Sequence, residues 1–168
     1  MQGILLIGMP GAGKSSLGRK VAGLLGFEFF DGDTEIEKKY PDRQGFLDKH
    51  GDDAYIRMEE KVILSLPTED SVLSPGGSMI YSRKCRERLS PCFKVFLDAS
   101  LRAIRKRLTD ADTRGIVRLR EMDLEALYTE REKLCRKYAD MVLGVEGKSD
   151  EELAALIVKA YRARQKDV

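Results

Sequence analysis

A stretch near the amino terminus has the residue types and the spacing to bind phosphate. Gly8 to Ser15 reads G-x-x-x-x-G-K-S, with a further glycine at Gly11. In such a loop the backbone N–H groups can converge on phosphate oxygens, because no Cβ atoms separate the backbone from the ligand. Lys14 would bring a positive charge to the β- and γ-phosphates, and the Ser15 hydroxyl can ligate Mg²⁺. The motif therefore predicts a nucleotide-binding loop.

The segments on either side of this loop have the patterns of a strand and a helix. The run from Ile4 to Ile7 is short and apolar, as in a buried strand, and apolar residues recur at helical spacing after Lys14. A glycine-rich turn without function is the alternative, but strand, loop and helix in this order are the context in which a phosphate loop works. The predicted nucleotide-binding residues of the loop are Gly11, Ala12, Gly13, Lys14, Ser15 and Ser16.

Two carboxylates follow the second predicted strand, where Asp31 and Asp33 open a helix. One carboxylate could serve a hydrated Mg²⁺ and the other a substrate hydroxyl. Asp33 could instead be only the N-cap of that helix. Because capping needs a single aspartate, we favour a functional pair.

The ends of two later strands allow two interpretations each. The Pro-Gly-Gly-Ser segment at 75–78 could approach a ligand closely or could only form a tight turn. Asp98 ends an apolar strand as a Walker-type Mg²⁺ ligand would, yet Asp98 and Ser100 also precede a helix that needs an N-cap. We favour the capping role, because the earlier aspartates already offer carboxylates to a metal.

A long polar segment, residues 109–120, lies between two predicted helices. Loops of this length in compact domains are often active-site lids, although a solvated loop without function is the alternative. Arginine suits bidentate phosphate contact, so closure could bring several arginines to the nucleotide. The candidates are Arg107, Arg114, Arg118 and Arg120.

Patterning along the 168 residues predicts one α/β domain with a central parallel sheet of about five strands and helices on both faces. A net charge of +2 does not favour nucleic acid as a partner, and no apolar stretch approaches the roughly 20 residues of a membrane span. Three cysteines without metal-ligand spacing favour a reducing, cytoplasmic setting, and a single histidine excludes multi-histidine metal sites. The predicted strands are 3–7, 27–30, 71–74, 93–97 and 141–143, and the predicted helices are 14–25, 33–39, 52–66, 82–89, 100–108, 123–138 and 149–164.

Together these segments resemble the shikimate kinase family, and the resemblance spans almost the whole chain. Residues 8–38 are similar to its first strand end, phosphate loop, helix and aspartate pair, and residues 54–60 resemble its F-R-x-x-E segment, with matches at Arg57 and Glu60. Residues 74–78 stand where the family has a T-G-G-G turn, and residues 112–117 stand where its lid reads R-P-L-L. Residues 127–140 resemble its L-Y-x-x-R and Y-x-x-x-A-D segments.

The resemblance implies a single P-loop kinase domain over residues 1–168, with a three-layer P-loop NTPase fold related to nucleoside monophosphate kinases. Its substrate-binding region would span about 33–62 and its lid about 109–120. Asp33 would contact ring hydroxyls of shikimate, and Arg57 and Arg131 would hold the carboxylate. The implied acceptor-binding residues are Asp33, Arg57, Gly76, Gly77 and Arg131.

For the nucleotide, the resemblance implies ATP and Mg²⁺ as cofactors. Asp31 would lie near the metal that Ser15 ligates, Arg107 would lie against the adenine, and Arg114 would reach the transferring phosphate from the lid. The implied catalytic residues are Lys14, Asp33 and Arg114.

The family pattern is broken at three positions, Ile56, Ser78 and Gly115, and the side chain of Ser78 would narrow or re-polarise the pocket wall. The expected function is phosphorylation of the 3-hydroxyl of shikimate, a step of aromatic amino acid biosynthesis, by a cytoplasmic monomer. Two alternatives stay open. One is a paralogue acting on another polyol or hydroxy acid such as gluconate, and the other is a nucleotide-binding regulatory module without turnover.

Overall fold

The structure is a computed structural model that describes residues 1–108, 116–119 and 121–166. Strands alternate with helices, as the apolar patterning predicts. The strands are β1 (Ile4–Ile7), β2 (Glu28–Asp31), β3 (Ser71–Ser74), β4 (Phe93–Asp98) and β5 (Met141–Gly144). The helices are α1 (Lys14–Leu25), α2 (Gly32–Lys39), α3 (Arg43–Leu64), α4 (Arg83–Arg88), α5 (Leu101–Arg107), α6 (Leu124–Tyr138) and α7 (Asp150–Lys166), with a 3₁₀ helix over Gly77–Tyr81.

The five strands form one parallel sheet in the order β2-β3-β1-β4-β5, which confirms the predicted sheet. The chain proceeds to one side of β1 with β2 and β3 and to the other side with β4 and β5. In open parallel sheets, ligands bind beyond the carboxyl ends of the strands where the order reverses. That point is the end of β1, where the glycine-rich loop begins.

Side chains of the fully buried strand β1 alternate between the two faces of the sheet, as the pleat requires. Ile4 and Leu6 pack in a core that includes residues of α1 and α7, whereas Leu5 and Ile7 pack in a second core with residues of α3 and α4. A third, smaller cluster packs α2 against α3 around Ile36. The phosphate loop is therefore held from both faces of the sheet.

Helix α3 is the main departure from the predicted elements, because it begins at Arg43 rather than near residue 52. The Asp42 carboxylate caps the new start by accepting a hydrogen bond from the Gly45 N–H at 2.9 Å. Gly51 has φ 76° and kinks the helix. This glycine separates two short helical patterns, and only the second of them matches the predicted helix at 52–66.

Two further differences concern the polar segments. The segment after β3 forms the 3₁₀ helix, which was not predicted. Most of the predicted lid, namely residues 109–115 and 120, lies outside the described residues. Within the described ranges, every helix is too short or too polar to cross a membrane.

Candidate active site

The loop between β1 and α1 has the backbone shape of a phosphate cradle. Gly11 has φ 76° and Gly13 has φ 90°, in the left-handed region that favours glycine. Gly13 is the N-cap of α1, and no side chain in the described part of the structure caps this end of the helix. The first N–H groups of α1 are therefore available to an anion at the positive end of the helix.

Lys14 lies at the centre of the site and is largely buried, with 9% of its surface exposed. Its Nζ atom donates hydrogen bonds to the carbonyl oxygens of Gly8 at 3.1 Å and Met9 at 2.9 Å. Burial lowers the pKa of Lys14, the charge on Asp33 opposes this effect and the charge on Arg131 adds to it. Cations and carboxylates from separate elements thus converge on one lysine.

A cleft of about 490 Å³ opens in front of this loop. It joins the loop to the ends of β2 and β3, to the start of α3 and to the end of α5. Its lining residues are Pro10, Gly11, Gly13, Lys14, Ser15, Ser16, Asp33, Arg43, Ser74, Arg107 and Leu108.

The two aspartates have different roles, and the residue that caps α2 is not the one that the capping alternative named. Asp31, not Asp33, is the N-cap of α2, and its Oδ1 atom accepts from the N–H groups of Asp33 at 3.1 Å and Thr34 at 3.3 Å. The Asp33 carboxylate instead faces the cleft and accepts a hydrogen bond from Arg43 Nη1 at 3.0 Å. Asp33 is therefore available to a ligand in the cleft.

The residues present fit a hydrated Mg²⁺ better than a protein-enclosed metal. Within the described ranges, no three His, Cys, Asp or Glu side chains are grouped closely enough to enclose an ion. Mg²⁺ usually keeps several waters and takes one or two protein ligands together with phosphate oxygens. The Ser15 hydroxyl lines the cleft, and Asp31 ends β2, two strands along the sheet from β1. One direct ligand and one more distant carboxylate fit that requirement.

Asp98 pairs with an arginine and does not cap α5, so the favoured capping interpretation holds for Ser100 only. The Asp98 Oδ2 atom accepts from Arg136 Nη2 at 2.6 Å. Ser100 caps α5, and its hydroxyl accepts from the Ala103 N–H at 3.2 Å.

Arg107 lies beside the loop, where its Nη1 atom donates to the Gly11 carbonyl oxygen at 3.0 Å. It also lines a groove of about 220 Å³ with Lys148 and Asp150, next to the loop. The Ser16 hydroxyl donates to the Asp150 carboxylate. Sequence reasoning missed Lys148 and Asp150, because neither residue belongs to a recognisable motif.

Two residues of the predicted lid, Arg114 and Gly115, lie outside the described residues.

The two glycines after β3 allow charged side chains to approach the backbone. A Cβ atom on Gly77 would lie 2.6 Å from Arg131 Nη1, and one on Gly76 would lie 3.0 Å from Glu59 Oε1. Arg131 is 2% exposed, lies 5.4 Å from the Tyr81 ring centroid and donates from Nη2 to the Val117 carbonyl oxygen at 3.0 Å. The double glycine therefore serves close approach rather than only a tight turn.

Glu59 is a second carboxylate that, like Asp33, approaches Gly76 behind the cleft lining, and sequence reasoning missed it. It is 4% exposed, and its Oε2 atom has no hydrogen-bond partner among the described residues. Burial, with a further contribution from the charge on Asp33, raises the pKa of Glu59 to about 8, against the opposing effects of Arg131 and Arg43. The uncharged form of this side chain is therefore favoured at neutral pH.

The structure corrects the expected register of the F-R-x-x-E segment. Arg57 is exposed and lines a separate groove with Asp52 and Tyr81 rather than the cleft. The Glu60 carboxylate accepts from the Ser82 hydroxyl at 2.7 Å and turns away from the cleft. Each residue rotates a helix by about 100°, so moving the match by one residue changes the side chain that faces the site.

With Glu59 as the glutamate of this segment, Tyr55 takes the position of its aromatic residue and Ile56 the position of its arginine. The cation that α3 contributes to the cleft is instead Arg43, in the unpredicted first turn of the helix. The Asp42 cap was the available sequence signal for that turn. The expected effect of Ser78 also needs correction, because Ser78 is buried in the 3₁₀ helix and does not line the cleft.

Comparisons with known proteins identify relatives of this chain. The family model described as shikimate kinase matches residues 10–162. A shikimate kinase 1 of Salmonella newport is 36% identical over 162 residues, which cover 92% of this chain and 93% of that protein.

Solved structures give the same result. Shikimate kinase from Acinetobacter baumannii, in complex with shikimate, superposes with a TM-score of 0.85 and 29% identity, covering 98% of this chain and 94% of that one. Shikimate kinase from Aquifex aeolicus has a TM-score of 0.81 and 25% identity, with 96% and 97% coverage. Together with the phosphate loop and the acceptor-side carboxylates, these similarities show that the chain belongs to the shikimate kinase family.

Proposed function

We propose that this protein transfers the γ-phosphate of ATP to the 3-hydroxyl of shikimate. The observation that carries the proposal is the cleft that Lys14 and Asp33 line together, with Arg131 buried against Gly77, in a chain that matches the shikimate kinase family over residues 10–162. Phosphoryl transfer needs mainly positioning of the reactants and stabilisation of developing charge. A buried lysine between a phosphate loop and a carboxylate supports both requirements.

On the nucleotide side, the N–H groups of the loop and Lys14 would hold the β- and γ-phosphates. Ser15, with Asp31 acting through water, would hold Mg²⁺, which supplies charge neutralisation between the two phosphates when it is bound. Arg107 would lie against the adenine, because it already contacts the loop at Gly11 and borders the adjacent groove.

On the acceptor side, Asp33 would orient the hydroxyl and take its proton as the oxygen attacks the γ-phosphorus. Gly76 and Gly77 would let the acceptor lie close to the backbone, and Arg131 would bind its carboxylate. The predicted lid over about 109–120, with Arg114, would exclude water and meet the transferring phosphate. We place the enzyme, as a monomer, in the cytoplasm, a setting that the three buried free cysteines support.

Release of ADP, measured with MgATP and different acceptors, tests the function. We expect saturable release with shikimate and only background release without an acceptor. Release with gluconate but not with shikimate would support the paralogue instead. Tight ATP binding without release for any acceptor would support the regulatory module.

A further inference from the structure

Arg43 is a cation in the cleft for which the shikimate kinase resemblance gives no role. Its Nη1 atom lies 3.0 Å from Asp33 Oδ1, and its side chain keeps 30% of its surface exposed. It lines the cleft together with Lys14 and Ser74. Its positive charge also partly offsets the rise that burial causes in the pKa of Tyr55 and of Glu59. Arg43 therefore lies on the acceptor side of Asp33.

The segment expected to supply a cation from α3 does not do so. In the register that the structure shows, the arginine position of F-R-x-x-E is Ile56, and Arg57 lines another groove. Arg131 is almost fully buried and already donates to the Val117 carbonyl oxygen. Among the cations on the acceptor side that the structure describes, Arg43 is the more accessible one.

The charges around the acceptor side suit a single anion. Arg43 and Arg131 contribute two positive charges and Asp33 one negative charge. Glu59 adds no full negative charge at neutral pH, because burial raises its pKa to about 8. With the charge of Lys14 assigned to the nucleotide phosphates, one positive charge is left over on the acceptor side, which a monocarboxylate would balance.

We propose that Arg43 is a specificity-determining residue that binds the acceptor's carboxylate. On binding, the carboxylate takes the guanidinium hydrogen bond that Asp33 Oδ1 accepts in this structure. That oxygen is then free to accept a hydrogen bond from the acceptor hydroxyl. The inference rests on the proposed function, and it gives Arg43 the role that the resemblance implied for Arg57.

The discriminating experiment compares shikimate with its uncharged methyl ester as acceptor. The measured quantity is the ratio of the two kcat/KM values, for the wild type and for Arg43→Met, Arg43→Lys and Arg57→Met. Lys49→Met is the matched control, because it removes one positive charge from an exposed position of the same helix. Thermal unfolding and the KM for ATP, measured on every variant, separate loss of folding from loss of acceptor recognition.

We expect the wild type to prefer shikimate by about 100-fold and Arg43→Met to reduce that preference to about 10-fold, because a hydrogen bond to a charged group is lost. Arg43→Lys should recover part of the preference, and Lys49→Met should keep all of it. An unchanged preference in Arg43→Met, or a loss in Arg57→Met instead, would overturn the assignment of Arg43. If the wild type shows no shikimate-dependent ADP release, the proposed function itself is wrong and the inference is wrong with it.

Discussion

At the scale of single residues, the site combines groups whose charge states depend on burial. Lys14 is buried between backbone carbonyls and carboxylates, and Glu59 is buried beside Gly76 with an oxygen that lacks a hydrogen-bond partner among the described residues. Low-dielectric surroundings strengthen the effect of a nearby phosphate charge on Lys14. The same surroundings make an ionised Glu59 costly.

Replacement of Lys14 by methionine should lower kcat by about 100- to 1,000-fold, because the charge that stabilises the transferring phosphoryl group is removed. Methionine keeps most of the side-chain volume, so the fold should persist. Steady-state ADP release and circular dichroism measure the two properties.

Lys20→Met is the matched control for Lys14→Met. Lys20 lies on the same helix and forms an exposed ion pair with Glu151. Near-normal turnover in Lys14→Met, or an equal loss in Lys20→Met, would contradict the role of Lys14 in the loop.

Glu59→Gln should change how stability depends on pH. The pKa of Glu59 is raised from 4.5 to about 8 in the folded protein, so the folded state binds more protons than the unfolded state between these values. The wild type should therefore lose stability as pH rises from about 5 to 8, and Glu59→Gln should lack that loss. Urea unfolding at pH 5 and pH 8 should show the difference in unfolding free energy between the two proteins changing by about 3 kcal/mol. A constant difference would mean that Glu59 is ionised at both pH values.

At the scale of elements, α1 must lie close to β2 for the loop and the aspartates to share one cleft. Gly18 is buried in α1 and faces the ring of Phe29 on β2, and a Cβ atom at this position would overlap the ring. Gly23 lies on the same helix, is exposed, and has open space where a Cβ would be placed. The two glycines thus have different reasons to be present.

Alanine at these two positions should have opposite effects on the free energy of unfolding. Gly18→Ala should destabilise the protein by about 1–3 kcal/mol, because the Phe29 ring must move. Gly23→Ala should stabilise it by about 0.5–1 kcal/mol, because alanine loses less conformational entropy in a helix. Urea titration measures both changes, and effects of the same sign would argue against close contact between α1 and β2.

At the scale of the whole molecule, Asp140 connects β4, the start of β5 and α7. Its carboxylate accepts from the Lys94 N–H at 2.9 Å and forms ion pairs with Lys94 Nζ at 2.8 Å and Arg164 Nη1 at 3.2 Å. Burial disfavours the charged form, but the hydrogen bonds from Lys94 outweigh it and hold the pKa of Asp140 below its ordinary value. The stabilisation is therefore present above the unfolded pKa and is lost as pH falls through the lower, folded value.

Asp140→Asn should lower the free energy of unfolding by about 2–3 kcal/mol, because Lys94 would keep its charge with little exposure to water. The expected fall in Tm is about 5–10 °C for a chain of this size. Asp70→Asn is the control, since Asp70 pairs with the terminal amino group of Met1 at an exposed position and should change stability by less than about 0.5 kcal/mol. A shift in Tm of similar size in both variants would contradict a special role for Asp140.

The sequence alone was sufficient for the phosphate loop and for the alternation of strands and helices. The loop depends on glycines and a lysine a few residues apart, and the short apolar strands of a parallel sheet are visible in the order of residues along the chain. Both properties depend on residues that are close together in the sequence, so they can be predicted without knowledge of distant contacts. For the same reason, the sheet of five parallel strands and the role of Ser100 as a cap could be anticipated.

Only the tertiary structure decided which charged side chains face the acceptor side of the cleft. Glu59 rather than Glu60 is buried there, and Arg43 rather than Arg57 lines the cleft, because the packing of α3 sets its rotation and Gly51 bends it. Successive residues of a helix point about 100° apart. An alignment that is wrong by one residue therefore assigns the wrong side chain to the site. The sequence by itself determined that phosphate is held after β1, whereas long-range packing decided what faces it across the cleft.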